Sequence, residues 1–255
     1  MDLTGIENEA EFFPAGTLSD VLEVELSDIT SRWNKDDSGI NPAERIKTVG
    51  DRCLTTLTQL RNTTDKNSRK ELARQLQSLV CEGLGYEVKK SAAPLALESG
   101  GFAPLLNQTF DADGKCQLWI IESPLVANGE EDADPLGLSF SEEQFQDIDD
   151  GDLSDLSIEE LLNEGVFSLQ DAPRYVLIAS PAQWVLIDSR KWAARSVLRF
   201  NLQEIFSRQD RDTYRLMACL IAKEARVPVS GRPLSDRLEE EAQRNANTVT
   251  TSLKA

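Results

Sequence analysis

The chain predicts a mixed α/β fold, with a mixed sheet of about five or six strands flanked by helices. Three observations carry that expectation. Apolar residues recur at helical spacing as far as Gly85, the period then shortens to that of strands, and helical spacing returns after residue 203. A hydrophobic share of 40% supplies a real core for one large domain.

Residues 1–40 read as an acidic N-terminal extension holding a helix over Leu18–Trp33. The α/β domain spans 41–228. Asn41-Pro42-Ala43-Glu44 opens it as a helix start: Asn suits the N-cap, Pro the first helical position and Glu the first turn. Ile46, Val49, Cys53, Leu57 and Leu60 follow at helical spacing. A polar turn, NTTDKNS, leads to a second helix with Leu72, Leu76, Leu79 and Val80, stopped by Gly83 and Gly85. So short a turn predicts antiparallel packing. Tyr86–Lys89, Phe102–Phe110 and Leu118–Val126 then read as strands, the last two joined by the hairpin signal DADGK. After an acidic insertion at 129–164, YVLIAS and WVLIDS form a second strand pair, SVLRFNL a further strand, and 203–226 a helix with Ile205, Phe206, Leu216, Met217, Leu220 and Ile221 on its buried face. Residues 229–255 read as a C-terminal helix or linker, since Leu238, Ala242, Ala246, Val249 and Leu253 keep helical spacing. That pattern reaches Ala255 without a stop signal, so it is either a frayed end or an element that continues in a longer protein.

Absences narrow the chemistry. With no histidine, Ser-His-Asp and Cys-His triads and histidine-based metal sites are excluded within the chain. Neither GxxxxGK[ST] nor GxGxxG occurs. Cys53, Cys81, Cys116 and Cys219 are scattered without a CxxC pair and read as small buried hydrophobes. No apolar run approaches the roughly 20 residues of a membrane span, and the acidic start lacks the layout of a signal peptide. A soluble cytoplasmic protein is expected.

The net charge of −17 is segregated. Residues 129–164 hold fourteen acids and no Lys or Arg, so the rest has 27 basic against 30 acidic residues, a net of −3. Residues 190–226 carry nine bases against four acids. Within them Arg208, Arg211 and Arg215 fall at helical spacing, with Arg195 and Arg199 upstream, a basic stripe able to grip DNA phosphates or to pair with local acids. The acidic insertion reads as a flexible solubilising segment, as a surface imitating a DNA backbone, or as a cover over that stripe. It is no calcium loop. With Gly151 at the sixth position, Gln146, Ile148 and Ser157 occupy the first, third and twelfth, and none supplies a carboxylate. Its second half, LSDLSIEELLNEGVFSL, predicts a short docking helix with Ser157 and Glu160 as a capping box.

A turn bearing Asp111 and Asp113 precedes an apolar strand bearing Glu122, the layout of a PD-(D/E)xK magnesium nuclease. In that layout Asp113 and Glu122 would be the catalytic residues and magnesium ligands. Pro124 stands where the lysine belongs, however, and brings neither charge nor donor.

Over residues 42–226, the GLGYE helix end, the LWIIE strand, the strand–turn–strand unit around Trp184 and FNLQEIF resemble the N-terminal region of bacterial restriction–modification and phage-defence DNA methyltransferases, of the type IIG-like, BREX and DISARM kinds. The resemblance implies a PD-(D/E)xK-like fold and a DNA-associated or partner-docking role, with magnesium as cofactor only if the nuclease site is active. It implies as partners DNA, a protein, or a methyltransferase region C-terminal to this one. No methyltransferase motif is present here, and Pro124 speaks for a domain that does not cleave.

Overall fold

The computed structural model describes residues 5–35, 41–98, 100–140, 153, 156–228 and 232–240. Seven strands form one mixed sheet: β1 (Ile6–Glu9), β2 (Ser91–Pro94), β3 (Phe102–Phe110), β4 (Cys116–Glu122), β5 (Tyr175–Ala179), β6 (Gln183–Asp188) and β7 (Val197–Asn201), in the order β1-β7-β6-β5-β4-β3-β2. Every neighbouring pair is antiparallel except β4–β5, which run parallel from Leu118↔Tyr175 to Glu122↔Ala179.

The sheet has one strand more than the expected range because Ile6–Glu9, inside the acidic stretch read as an extension, pairs with β7 from Ile6↔Phe200 to Glu9↔Val197. Two buried aromatics, Phe12 and Phe13, fasten the segment, and the Asn8 side chain hydrogen-bonds both ways with the Phe13 backbone. The strand expected at Tyr86–Lys89 is displaced to Ser91–Pro94, because Tyr86 turns inward and its hydroxyl donates to the carbonyl of Ile221 at 2.9 Å.

Strand alternation sends two sets of side chains to two cores. Leu118, Ile120, Tyr175, Leu177, Trp184, Leu186, Leu198 and Phe200 face the helices. These are α1 (Ala15–Lys35), the antiparallel pair α2 (Pro42–Asn62) and α3 (Lys66–Leu84), then α5 (Leu202–Arg208), α6 (Arg211–Ile221) and α7 (Lys223–Arg226). The predicted caps are in place. Asn41 accepts from the N–H of Ala43, and Gly85 ends α3 at φ 82°, the left-handed conformation a side chain resists. The helix expected over 203–226 is three pieces, since Gln209 turns left-handed (φ 52°) and Asp210 caps α6 through the N–H and hydroxyl of Thr213.

The opposite set, Trp119, Ile121, Val176, Ile178, Val185, Ile187 and Val197, is covered by the segment expected to be a flexible insertion. Parallel neighbours cannot be joined by a hairpin and need a crossover, and residues 123–174 are that crossover. Leu136, Phe140, Leu153, Ile158, Leu161, Leu162 and Val166 are buried along it. The Ser157–Glu160 capping box starts α4 (Ile158–Glu160), which runs into a π-helical turn, Leu161–Val166. The acids Glu142 to Asp152, and Asp155, lie outside the described residues. No helix among the described residues is long and apolar enough to cross a membrane.

Replacing one crossover anchor, Leu161→Ala, opens a cavity in the second core and is expected to lower unfolding free energy by about 2–5 kcal/mol, read by urea denaturation. A change under about 1 kcal/mol would show that the crossover does not hold the sheet. Burial pushes the thiols of Cys53, Cys81 and Cys219 up to about 12, while Cys116 is partly exposed. Native-state labelling with a thiol reagent at neutral pH is therefore expected to modify Cys116 alone.

Candidate functional site

Open α/β sheets gather polar groups where parallel strands end, and here β4 and β5 end on Glu122-Ser123 and Ala179-Ser180, with Glu122, Ser123 and Ser180 all buried. Helix α3 runs past these ends and supplies Arg74, whose Nε donates to Glu122 Oε1 at 3.0 Å. Lys90, just ahead of β2, brings its Nζ to 3.8 Å from the other carboxylate oxygen. Gln77, one helical turn on from Arg74, donates to the Ala179 carbonyl at 2.8 Å. Its Oε1 and the Ser180 hydroxyl are buried without hydrogen-bond partners among the described residues. The arrangement is a carboxylate clamped by two cations beside unspent polar atoms, suited to anchoring α3 on the sheet and to hydrogen-bonding a small polar group.

Asp113 is not part of it. It sits exposed in the β3–β4 turn, at the start of β4, while Glu122 closes the strand. At about 3.3 Å per residue, the intervening strand separates the two carboxylates by roughly 20 Å. The pair expected to hold magnesium is thus held apart by the length of β4. Asp111, not Asp113, organises the turn: Oδ1 accepts from the N–H groups of Asp113 and Lys115, and Oδ2 from Gln117. These bonds, that of Lys115 foremost, hold its carboxyl below the usual range. Among the described residues no three His, Cys, Asp or Glu side chains gather as a metal site.

The five arginines of the expected stripe divide between the two faces of the sheet. Arg195 is held over the Trp192 ring, with its guanidinium 4.3 Å from the centroid, and pairs with Glu159 of the crossover. Arg199 lies on β7, on the crossover side with Val197, and bonds Glu9, Asp134 (2.7 Å) and Gln183 (3.0 Å). On the helical side, Arg208 ends α5 and is cut off from α6 by the turn at Gln209. Arg211 and Arg215 share a surface cleft of about 300 Å³ with Thr30, Asn34, Asn41 and Asp212, where Arg215 donates to Thr30 Oγ1 at 3.0 Å. The stripe is broken because the helix that would have made it continuous is capped at Asp210.

The crossover's acids instead meet arginines across the fold. Asp134 and Glu159 take Arg199 and Arg195, Asp132 takes Arg61 at 2.8 Å, and Glu131 takes Arg69 at 2.7 Å. The last pair is buried. Arg69 also donates to the carbonyls of Leu60, Thr63, Val126 and Ala127 and to the side chain of Asn128, which ties the end of α2 to the start of the crossover. Nothing in the sequence ranked Arg69 above its neighbours; its one local signal is a position a turn beyond the Asp65 cap, on the buried side of α3 with Ala73 and Leu76.

No family model, curated protein or solved structure matches this chain.

Burial works to raise the Glu131 carboxyl, but the Arg69 guanidinium and the N–H of Gly129 outweigh it and hold the group below its ordinary 4.5. A carboxyl lowered in the folded state contributes stability above its unfolded value, and that contribution is lost as pH falls from about 4.5 through the folded value. Glu131→Gln is expected to be less stable than the parent at neutral pH and to lose less stability on acidification below that point, measured by denaturant midpoints across the range. Parallel acid profiles for the two would remove Glu131 from that role.

Proposed function

We propose that this chain is a non-cleaving, partner-docking domain of a bacterial restriction–modification or phage-defence system, whose acidic crossover meets a cationic protein surface. The observation that carries the reading is how the crossover spends its charge. Glu131, buried, and Asp132, Asp134 and Glu159, at the surface, pair with arginines and fix the segment to the fold. Between its buried anchors Phe140 and Leu153 the sequence strings six further acids and no base across twelve residues. These pairs also occupy Arg195 and Arg199, which speaks against those two as phosphate contacts. Clamping of Glu122 by Arg74 and Lys90, and its separation from Asp113, support a domain that does not cleave. The resemblance to N-terminal regions of defence methyltransferases makes a methyltransferase-type region, with its basic DNA-facing surface, the partner of choice.

Fluorescence anisotropy of a labelled duplex at about 50 and 200 mM salt tests the reading against DNA association. No salt-dependent duplex binding is expected from the chain. Added to a complex of that duplex with a basic DNA-binding protein, the chain is expected to release the DNA, and a variant with Glu142, Glu143, Asp147, Asp149, Asp150 and Asp152 changed to amides to release it at least tenfold less well. Salt-sensitive duplex binding lost on Arg208→Ala or Arg211→Ala would replace docking by DNA association. Magnesium-dependent plasmid nicking abolished by Glu122→Ala would replace it by an active nuclease.

A further inference from the structure

The helical face of the sheet contains a second charged cluster that the docking reading does not use. Arg226 closes α7 and is 2% exposed, yet none of its Nε, Nη1 and Nη2 atoms has a hydrogen-bond partner among the described residues. Its guanidinium carbon lies 4.7 Å from the ring centroid of Tyr175, and the same ring carries Arg174 at 4.6 Å. Tyr175 is the first residue of β5 and pairs in register with Asp188, the last of β6. Arg174 reaches that carboxylate at 3.4 Å.

The cluster is closed by the helical segment 234–240, seated through the buried side chains of Leu234 and Leu238. It lays Ser235 Oγ 3.0 Å from the Tyr175 hydroxyl. It also places the Asp236 carboxylate on both terminal nitrogens of Arg174, one of them at 2.9 Å. Among the described residues Asp236 hydrogen-bonds the guanidinium of Arg174 and not that of Arg226. A buried guanidinium without an acceptor is strongly unfavourable; among those residues the five donors of Arg226 have no hydrogen-bond acceptor, only the face of Tyr175 and the charge of Asp236 beyond hydrogen-bond reach. An anion with more acceptor oxygens than one carboxylate would serve both guanidiniums, and phosphate matches their fork geometry.

We propose that Arg174 and Arg226, on the ring of Tyr175, form a binding site for a small phosphate ligand, and that Asp236 occupies it as an internal stand-in. The Tyr175 hydroxyl adds a neutral donor. Asp188 remains beneath Arg174, where the backbone N–H of Arg190 holds it at 2.9 Å; it offsets part of the Arg174 charge and makes Arg226 the main anchor for the anion. Entry requires segment 234–240 to lift, so phosphate and the docked segment compete for one place.

Thermal unfolding of the full chain in inorganic phosphate, against sodium chloride of equal ionic strength, tests this. Asp236→Asn keeps the shape of the stand-in and removes its charge. That variant is expected to gain about 3–6 °C in Tm at saturating phosphate, and the parent at most half as much. Arg226→Met removes an unpaired buried charge, so it should raise Tm without phosphate and abolish the phosphate response of Asp236→Asn. Equal Tm in phosphate and chloride for Asp236→Asn would overturn the proposal, as would a fall in Tm on Arg226→Met, which would make Arg226 a packing residue; that second arm stands alone should Asp236→Asn not fold. A nucleoside monophosphate that shifts Tm more than phosphate assigns the site to a phosphoester, and one that shifts it less assigns it to the free anion.

Discussion

The parallel pairing of β4 with β5 is the constraint on which the rest of the structure depends. Those two strands lie at the centre of a sheet that is otherwise antiparallel throughout. All five residues of β5 are buried, so both faces of the sheet must be covered. The helices cover one. The other falls to the chain between the two strands, because a parallel pair obliges it to cross over. A segment with fourteen acids in 36 residues thus has to serve as a core layer as well as a surface. It does so by alternating roles: aliphatic and aromatic anchors go down into the second core, and carboxylates near its ends turn onto arginines of α2, α3, β7 and the turn after Trp192.

The strength of these pins differs with their burial. Arg195–Glu159 is nearly half exposed on both sides and contributes only modestly. Arg69–Glu131 is buried, and breaking it would leave a buried charge unpaired. Because Arg69 also collects four backbone carbonyls, the place where the crossover leaves the helical side is fixed by one side chain. The same economy of charge runs through the chain. Arg45 binds Glu224 across the helical layer, Arg174 binds Asp188 and Asp236, and Arg199 binds Glu9 and Asp134. These arginines hold elements together.

What the sequence revealed and what it hid divide along one line: range. Local rules were legible. Asn41, Gly85 and the Ser157–Glu160 box act within four residues of themselves, and each stands where its chemistry predicts. The strand at Phe102–Phe110 was bounded by its own apolar run and hairpin turn. By contrast, β1 is half acidic, and its strand character comes from an edge on β7 some 190 residues away. The break at Gln209-Asp210 was local in principle, since Asp before Thr213 is a cap signal, but the flanking apolar residues keep helical spacing across it and conceal it. The candidate site suffered most. Asp113 and Glu122 are close in sequence, and the motif layout invites them together, yet an extended strand makes nine residues of separation a long distance. The cations that meet Glu122 come from α3 and from the start of β2, whose approach no spacing rule encodes.

The ends of β5 show how one strand can support two polar sites of different character. Its carboxyl end, beside Glu122, is satisfied from within: two cations face one carboxylate, and the unspent atoms, Gln77 Oε1 and the Ser180 hydroxyl, are neutral. Neutral orphans are tolerable, at about 1–3 kcal/mol each, and a site of that kind is chiefly an anchor. At the amino end the orphan is charged. Arg174 and Arg226 share the Tyr175 ring with two carboxylates, Asp188 and Asp236, that hydrogen-bond only the first of them. A charged orphan is far less tolerable than a neutral one in the same burial. A fold that pairs Arg69, Arg174 and Arg199 with carboxylates, and leaves the buried guanidinium of Arg226 without an acceptor among the described residues, has its clearest ligand-directed feature there and not at the strand ends where the sequence directed attention.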